Sequence, residues 1–547
     1  MAGGKGHVYR PLSAVAWAVL VLATLGGCAA QPVTESARGN LFARGLDDIG
    51  ELYLEPVSTR RVALAGAARL TRLDGELGVS DSLGTGAGGA LAVAYGGRDI
   101  SLYTIPADNA NRAWGELLTN VIATAKQVSP KLAAQSDEAI DKAIFDGMTG
   151  ALDRFSHYST PEVARDQRAQ RDGFGGIGIT FDNTDDTFKV TALTPDGPAE
   201  RAGIQIEDRI LAIDGVLTTG RTREEVVHQL RGRPGTPIAV RVLRAADNQI
   251  RPLQLHRAFV VSPSVTMRRD GDIAIFRISI FNHSTAQRMA ATLAEAEQQS
   301  GGHLAGIVLD LRDNPGGLLD QAVEFADIFI KDGPIVATTG RNPASRQYFA
   351  ASGRSAAPLL PIIVLINGAS ASAAEIVAAA LQDAGRALVI GSSSFGKGTV
   401  QTVLPLPNKG DLVLTWARLV TPSGYLLQSH GVVPTVCTAD LQDNQGALDV
   451  GLQRVNAEAQ SGGPALRARA NLNERGWAEL RHACPGRRNR PAVDLSLAEH
   501  VLADPKLYAA AVHALPSEAH VARGGPDGAP PDPALTEANR ALSSRAH

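Results

Sequence analysis

The chain has 547 residues, several times the roughly 100–200 residues of one domain, so a single small binding module is excluded. Its 44% hydrophobic and 20% charged residues lie far from the composition of disordered chains, and 53 basic against 56 acidic side chains, a formal net charge of -3, provide no positive field to gather nucleic acid. The basic side is almost all arginine, with nine lysines in the whole chain, so a lysine in an unusual setting draws attention.

In chain order, Lys5, His7 and Arg10 precede an apolar run from Leu12 to Leu25 and then Gly26-Gly27-Cys28. That is the layout of a cleaved export signal over residues 1–28. The run is short of the ~20 apolar residues of a spanning helix, although an uncleaved anchor is the alternative. Leu25-Gly26-Gly27-Cys28 resembles a bacterial lipobox, which implies acylation of Cys28, export and a lipid anchor. Ala29 then favours the periplasmic face of an outer membrane. Removing Cys28 leaves Cys437 and Cys484, an even pair for which the open readings are a disulfide and two unpaired buried thiols. No Cys/His cluster has metal-ligand spacing, so no metal is expected.

Leucine, isoleucine and alanine recur at helical spacing from Leu41 to about Asp74 and from Ala113 to Leu152, around a Gly-rich insertion near 78–105 that reads as a loop with a strand or two. A helical domain is therefore expected over 29–165. Short apolar runs with glycines (Gly175 to Thr180, Phe188 to Ala192, Arg209 to Ile213, Ile238 to Leu243) predict a β-rich module over 166–257. Strand-like runs at Ile273 to Ile278, Ile307 to Leu311, Ile362 to Ile366 and Ala387 to Ile390 alternate with helical segments at Ala286 to Gln298, Leu318 to Ile330 and Ala373 to Ala384. The alternation predicts a largely parallel α/β layer over 258–435. A polar, helical extension is expected over 436–520, and a disordered tail rich in Gly, Pro and Ala over 521–547.

Gly175, Gly176 and Gly178, with Ile177 and Ile179, place consecutive N–H groups at the mouth of a strand, a cradle suited to a carboxylate. With Gly197 to Ile204, Asp208 to Gly215 and Thr222 to Gly232, the segment resembles a PDZ domain. The resemblance implies that a peptide C-terminus is held by the glycine loop while the peptide adds a strand beside Ile177 to Ile179, against a helix such as Glu224 to Leu230.

Three further segments carry chemistry. Asp310-Leu-Arg-Asp-Asn-Pro-Gly316-Gly317-Leu318 follows a strand and precedes a helix, and its glycines expose N–H groups fit for an oxyanion hole or merely for a tight turn. Asn367-Gly-Ala-Ser370-Ala-Ser372-Ala-Ala-Glu375 opens a helix, where either serine alone would most often be a cap. Phe395-Gly-Lys397-Gly-Thr-Val-Gln401 sets a lysine among glycines and apolar residues, where burial would lower its pKa and let it accept a serine proton. Gly391 to Lys397 also matches a P-loop, but Gly398 stands where the Ser/Thr for magnesium belongs, and no helical pattern follows.

Taken together, DLRDNPGG, SASAAE and FGKGTVQ in this order, with the PDZ-like insert, resemble the carboxyl-terminal processing, or tail-specific, serine proteases, from about residue 41 to 435. The resemblance implies Ser372 as nucleophile, Lys397 (25 residues downstream) as general base, Gln401 as the group that positions the amine, and an oxyanion hole from the N–H of Ala373 and of Gly316 or Gly317. It further implies a multi-domain α/β protein with a helical N-terminal domain, a PDZ β-rich domain, a crotonase-like α/β peptidase core and a mostly helical C-terminal extension. Its substrates would be proteins or peptides with free C-termini, cut without a cofactor. Some members need an adaptor lipoprotein or form homo-oligomers. The common SASASE is here SASAAE, and the Gly-rich insertion departs from the family pattern. The rival readings are a catalytically silent PDZ scaffold and a crotonase-type acyl-transfer enzyme.

Overall fold

A computed structural model of the protein describes residues 35–82, 89–184, 187–355, 360–444, 446–461, 471–489 and 491–512. Cys28, the export signal and the tail 521–547 lie outside the described residues.

The first unit packs the helices Glu35–Leu52, Thr59–Ala68, Asn111–Val128 and Asp137–Gly150 around buried Phe42, Trp114 and Phe145. Ser136 caps the last of these by accepting from the Ala139 N–H at 3.1 Å, with Asp137 and Glu138 in the first turn, the acidic pattern a helix N-terminus favours. The Gly-rich insertion has more structure than a loop with one or two strands. Leu77–Ser82, Ala90–Tyr95 and Arg98–Thr104 form a three-stranded antiparallel sheet. The unit is not self-contained: Tyr158 stacks on Phe145 with ring centroids 4.6 Å apart, and Leu406, Leu412 and Leu414 from far along the chain complete its core.

The second unit is a sheet in the order Ile250–His256, Pro237–Leu243, Arg209–Ile213, Thr187–Leu193, Ile179–Thr184, with the helix Arg223–Leu230 started by a Thr222/Glu225 capping box. The glycine run is divided between two strands, Phe174–Gly176 and Ile179–Thr184. Gly178, at φ +78°, breaks it, and Phe174–Gly176 pairs with Ala258–Val260 in a separate ribbon.

The third unit holds a sheet in the order Val265–Asp270, Ile273–Ile278, Gly306–Asp310, Ile362–Ile366, Leu388–Gly391, Val436–Cys437, antiparallel at the first pair and parallel after it. Its central strands are buried along their whole length, so both faces need a covering layer. One face packs against the helices Thr285–Gln299, Leu319–Asp327 and Ala373–Asp383. The other is covered by the segment beyond residue 436: Val455, Leu497, Val501 and Leu502 lie on Ile275, Val308, Ile363, Leu365 and Ile390. The expected C-terminal extension is thus the second layer of this sheet, and its first residues are the edge strand. A second sheet, Gln347–Ala350, Pro334–Thr339, Asp411–Val420 and Thr399–Pro405 with His157–Ser159 paired to Asp411–Val420, joins the third unit to the first.

Candidate active site

Three neighbouring parallel strands, Gly306–Asp310, Ile362–Ile366 and Leu388–Gly391, end at the same edge of the sheet. Their following loops carry Gly316 and Gly317, Ser370 and Ser372, and Lys397. A crevice beyond the carboxyl ends of parallel strands is where open α/β sheets present ligand-binding groups.

The two serines separate by their partners. Ser370 is fully buried; its hydroxyl donates to the Leu311 carbonyl at 2.8 Å and accepts from the Asn367 N–H at 2.9 Å. It ties two loops together and has no hydroxyl to spare. Ser372 stands at the N-terminus of the helix Ala373–Asp383 with φ +55° and ψ -116°, a costly conformation for a residue with a Cβ. Its neighbourhood requires glycine across the loop: a Cβ on Gly316 would lie 2.7 Å from Ser372 Cβ and 2.9 Å from the Ala373 nitrogen, and one on Gly317 would lie 2.0 Å from the Phe281 oxygen.

Of the two glycines, Gly316 already donates its N–H to Asn314 Oδ1 at 2.8 Å. Among the described residues, the N–H groups of Gly317 and Ala373 donate to nothing within the chain. They remain available to a developing oxyanion.

Lys397 is half-buried, its ammonium 5.4 Å from the centre of the Phe155 ring. Burial pushes its amine down from the ordinary 10.5, and the Glu375 carboxylate pulls it partly back up. Gly398 is fixed by packing, since a Cβ there would come within 1.8 Å of the Gln428 nitrogen. The strand Thr399–Pro405 follows it, where a phosphate-binding loop requires a helix.

Glu375, at the end of the serine motif, has no role that the sequence alone assigns. It is completely buried and accepts four donors: Ser394 Oγ, and the N–H groups of Gly396 at 2.7 Å, Ser372 at 2.7 Å and Lys397 at 2.9 Å. One carboxylate therefore fixes the backbone of both Ser372 and Lys397. Burial raises its pKa, and the four hydrogen bonds oppose the rise. Its signal in the sequence was the S-x-x-E spacing of a capping box.

The structure brings the loops of Ser372, Ala373, Gly317 and Lys397 together at one edge of the sheet, with Glu375 hydrogen-bonded to both Ser372 and Lys397, but does not close them into a relay. Among the described residues no hydrogen bond joins Ser372 Oγ to Lys397 Nζ. Gln401, expected to hold the amine, donates instead to Thr399 Oγ1 at 2.9 Å and Thr415 Oγ1 at 3.3 Å. Thr415 in turn donates to Asp153 at 3.2 Å, and Asp153 also accepts from Phe155, Ser156 and the Ser156 hydroxyl. The connector segment thus holds Gln401 in a network that, among the described residues, includes no hydrogen bond to the lysine amine.

The glycine loop of the second unit has Ile177 buried, with its carbonyl accepting from the Ala199 N–H at 2.9 Å; Gly175 and Gly178 carbonyls accept from Gly232 and Thr194. Among the described residues the N–H groups of Ile177 and Gly178 donate to nothing within the chain. Beside them Ile179 opens the outermost strand of its sheet, whose free edge can pair with an added strand. Cys437 and Cys484 form a disulfide, with Cα atoms 5.9 Å apart. Among the described residues no group of His, Cys, Asp and Glu has a metal-binding arrangement, and no helix is long and apolar enough to cross a membrane.

Residues 272–438 match the profile of peptidase family S41, and residues 189–244 match a PDZ domain profile. A carboxy-terminal-processing protease of Bartonella bacilliformis is 41% identical over 302 residues, 55% of this chain and 70% of that one. A probable CtpA-like serine protease of Staphylococcus aureus is 34% identical over 306 residues, 55% of this chain and 60% of its own length. Among solved structures, a photosystem II D1 C-terminal processing protease aligns with 24% identity over 73% of this chain and 92% of its own, at a TM-score of 0.37. The extent and identity of the Bartonella match, with the family profile over residues 272–438, make the chain a member of the carboxy-terminal-processing serine proteases of peptidase family S41.

Proposed function

We propose that the protein is an endopeptidase of the periplasm, lipid-anchored through Cys28, that binds substrate C-termini on its PDZ domain and cuts with a Ser372–Lys397 dyad. The observation that carries the catalytic part is the shared Glu375 carboxylate, which presents the backbone of both residues at one crevice. In this reading Lys397 Nζ takes the Ser372 Oγ proton as that oxygen attacks the scissile carbonyl, and the oxyanion is held by the N–H groups of Ala373 and Gly317. The C–N bond then breaks, the lysine returns the proton to the leaving amine, and water hydrolyses the acyl ester by the same route. The dyad lacks its hydrogen bond in this conformation, so catalysis requires the lysine amine to move toward Ser372 and Gln401 to leave Thr415. A peptide seated on the strand Ile179–Thr184, its carboxylate on the Ile177 and Gly178 N–H groups, is the signal for that movement.

The test is binding and stimulated cleavage with peptides that differ only at their end. A free carboxylate should bind at least about tenfold tighter than the amide and speed cleavage of a loosely folded protein. Equal binding of the two would remove the carboxylate cradle from the account.

A further inference from the structure

On the far side of Glu375 from the crevice stands a residue brought in by the C-terminal segment. Arg481, on the helix Glu474–Ala483, donates through one terminal nitrogen to the His430 carbonyl and through the other to the Ser394 carbonyl at 3.1 Å. Ser394 is gripped from both sides, its carbonyl by Arg481 and its hydroxyl by Glu375. The three groups meet around Gly431, where a Cβ would lie 2.7 Å from Ser394 Oγ, 2.8 Å from Arg481 Nη1 and 3.1 Å from Glu375 Oε1.

The segment that carries Arg481 is itself fastened to the catalytic loops. Trp477 stacks on His430 and packs on Tyr425, with centroids 4.8 and 4.6 Å apart. Cys484 is bonded to Cys437 on the edge strand, and its carbonyl accepts from Ser393 Oγ at 2.6 Å. The Arg487 N–H reaches Ser392 Oγ at 3.1 Å, and the Arg487 carbonyl accepts from the Gly368 N–H at 2.6 Å. The segment therefore bonds to the loop that presents Lys397 and to the loop that presents Ser372.

We propose that Arg481 is a positioning residue of the peptidase site, supplied by the disulfide-fastened C-terminal segment, which holds Ser394 and Glu375 so that they present Ser372 and Lys397 together. The proposal rests on the Ser372–Lys397 reading above. A carboxylate as buried as Glu375 is costly as an anion, a cost that its four hydrogen bonds and a cation nearby both reduce. Lys397 cannot be that cation and also act as a neutral base, so Arg481 fills the place. The Glu375 charge supports the protonated form of Arg481 against its burial. The charged groups around Lys397 are Glu375 on the nucleophile helix, Arg154 on the connector over the same Phe155 ring, and Arg481 behind Glu375. Around Arg481 stand Glu375 and, in contact with each other, the His430 ring and the Glu474 carboxylate. Without the Arg481 charge, Glu375 acts on the lysine amine unopposed and holds its proton more firmly.

The experiment is the rate at which a small fluorophosphonate labels Ser372 in the full chain, measured across the neutral and alkaline range with a stimulating peptide present. Arg481→Met should label about 100-fold more slowly, the cost of a misplaced group, with the midpoint of the acid limb moved to higher pH. Arg481→Lys keeps the charge but cannot span both carbonyls, so it should restore the wild-type midpoint and only part of the rate. The exposed Arg475→Met, on the same helix, should match wild type. Labelling of Arg481→Met within about twofold of wild type at an unmoved midpoint overturns the proposal, as does a slowed rate with an unmoved midpoint. If Arg481→Met does not fold, Arg481→Lys decides: a slowed rate at the wild-type midpoint supports the proposal and a wild-type rate overturns it. Equal labelling of wild type and Ser372→Ala would instead sink the dyad reading, and the proposal with it.

Discussion

Glu375→Gln probes the centre of the site without changing its volume. The carboxylate takes two donors on each oxygen: the Ser394 hydroxyl and the Gly396 N–H on Oε1, the Ser372 and Lys397 N–H groups on Oε2. An amide offers one oxygen. The less costly orientation puts its nitrogen at the Oε1 position, because the Ser394 hydroxyl can turn and accept while it keeps the Val432 N–H at 2.7 Å. The Gly396 N–H then faces another N–H group and the Ser394 O–H loses its acceptor. Each orphaned buried donor costs about 1–3 kcal/mol, and relief of the buried charge returns part of it, which leaves a loss of about 2 kcal/mol in urea unfolding. The pH effect identifies the charge. Glu375 raises the pKa of Lys397, so its removal lowers that pKa, and the residual activity should show its acid limb at lower pH than wild type. Wild-type stability together with an unmoved limb would refute the assignment of Glu375 as the shared anchor.

Gly316→Ala forces a methyl to within 2.7 Å of Ser372 Cβ at a backbone φ of +102°; labelling of Ser372 should fall by at least about 100-fold, and a wild-type rate would contradict the packing. Ser370→Ala should destabilise the protein by about 1–3 kcal/mol by orphaning the Asn367 N–H yet leave a nucleophile that labels, whereas Ser372→Ala should abolish labelling with little change in unfolding midpoint. In the wild-type enzyme kcat/KM should fall as pH drops through the lysine's folded-state pKa, with a midpoint below the ordinary 10.5; a midpoint at or above that value would argue against a base depressed by burial.

How far the sequence reaches differs from residue to residue. The parallel strands and their helices were readable because their apolar runs are uninterrupted, and Ile273–Ile278 and Ile362–Ile366 fall where the runs do. The glycines at the mouth of a strand are readable as a cradle, but periodicity does not show that Gly178 takes a positive φ and turns the chain there. Spacing alone could not choose between Ser370 and Ser372, since both stand where a helix cap would. Family resemblance points to Ser372, and the structure shows the Ser370 hydroxyl occupied by Leu311 and Asn367. Likewise either glycine of the pair suited an oxyanion hole until Asn314 was seen to occupy the Gly316 N–H. Glu375 carried a capping-box signal, but its bond to the Lys397 loop is a tertiary contact with no local pattern. Arg481 carried no signal at all, one of two arginines in a polar helix. The need for a second layer was implicit in strands apolar on both faces, yet nothing local said that Leu497, Val501 and Leu502 would supply it.

The most direct test of the account is degradation of a loosely folded model protein by the full chain, with wild type, Ser372→Ala and Lys397→Ala compared in the presence of a peptide with a free C-terminus. Members of a catalytic unit fail together, so the account predicts that cleavage disappears in both variants while both keep the wild-type unfolding free energy within about 1 kcal/mol. Cleavage at the wild-type rate by either variant would contradict it.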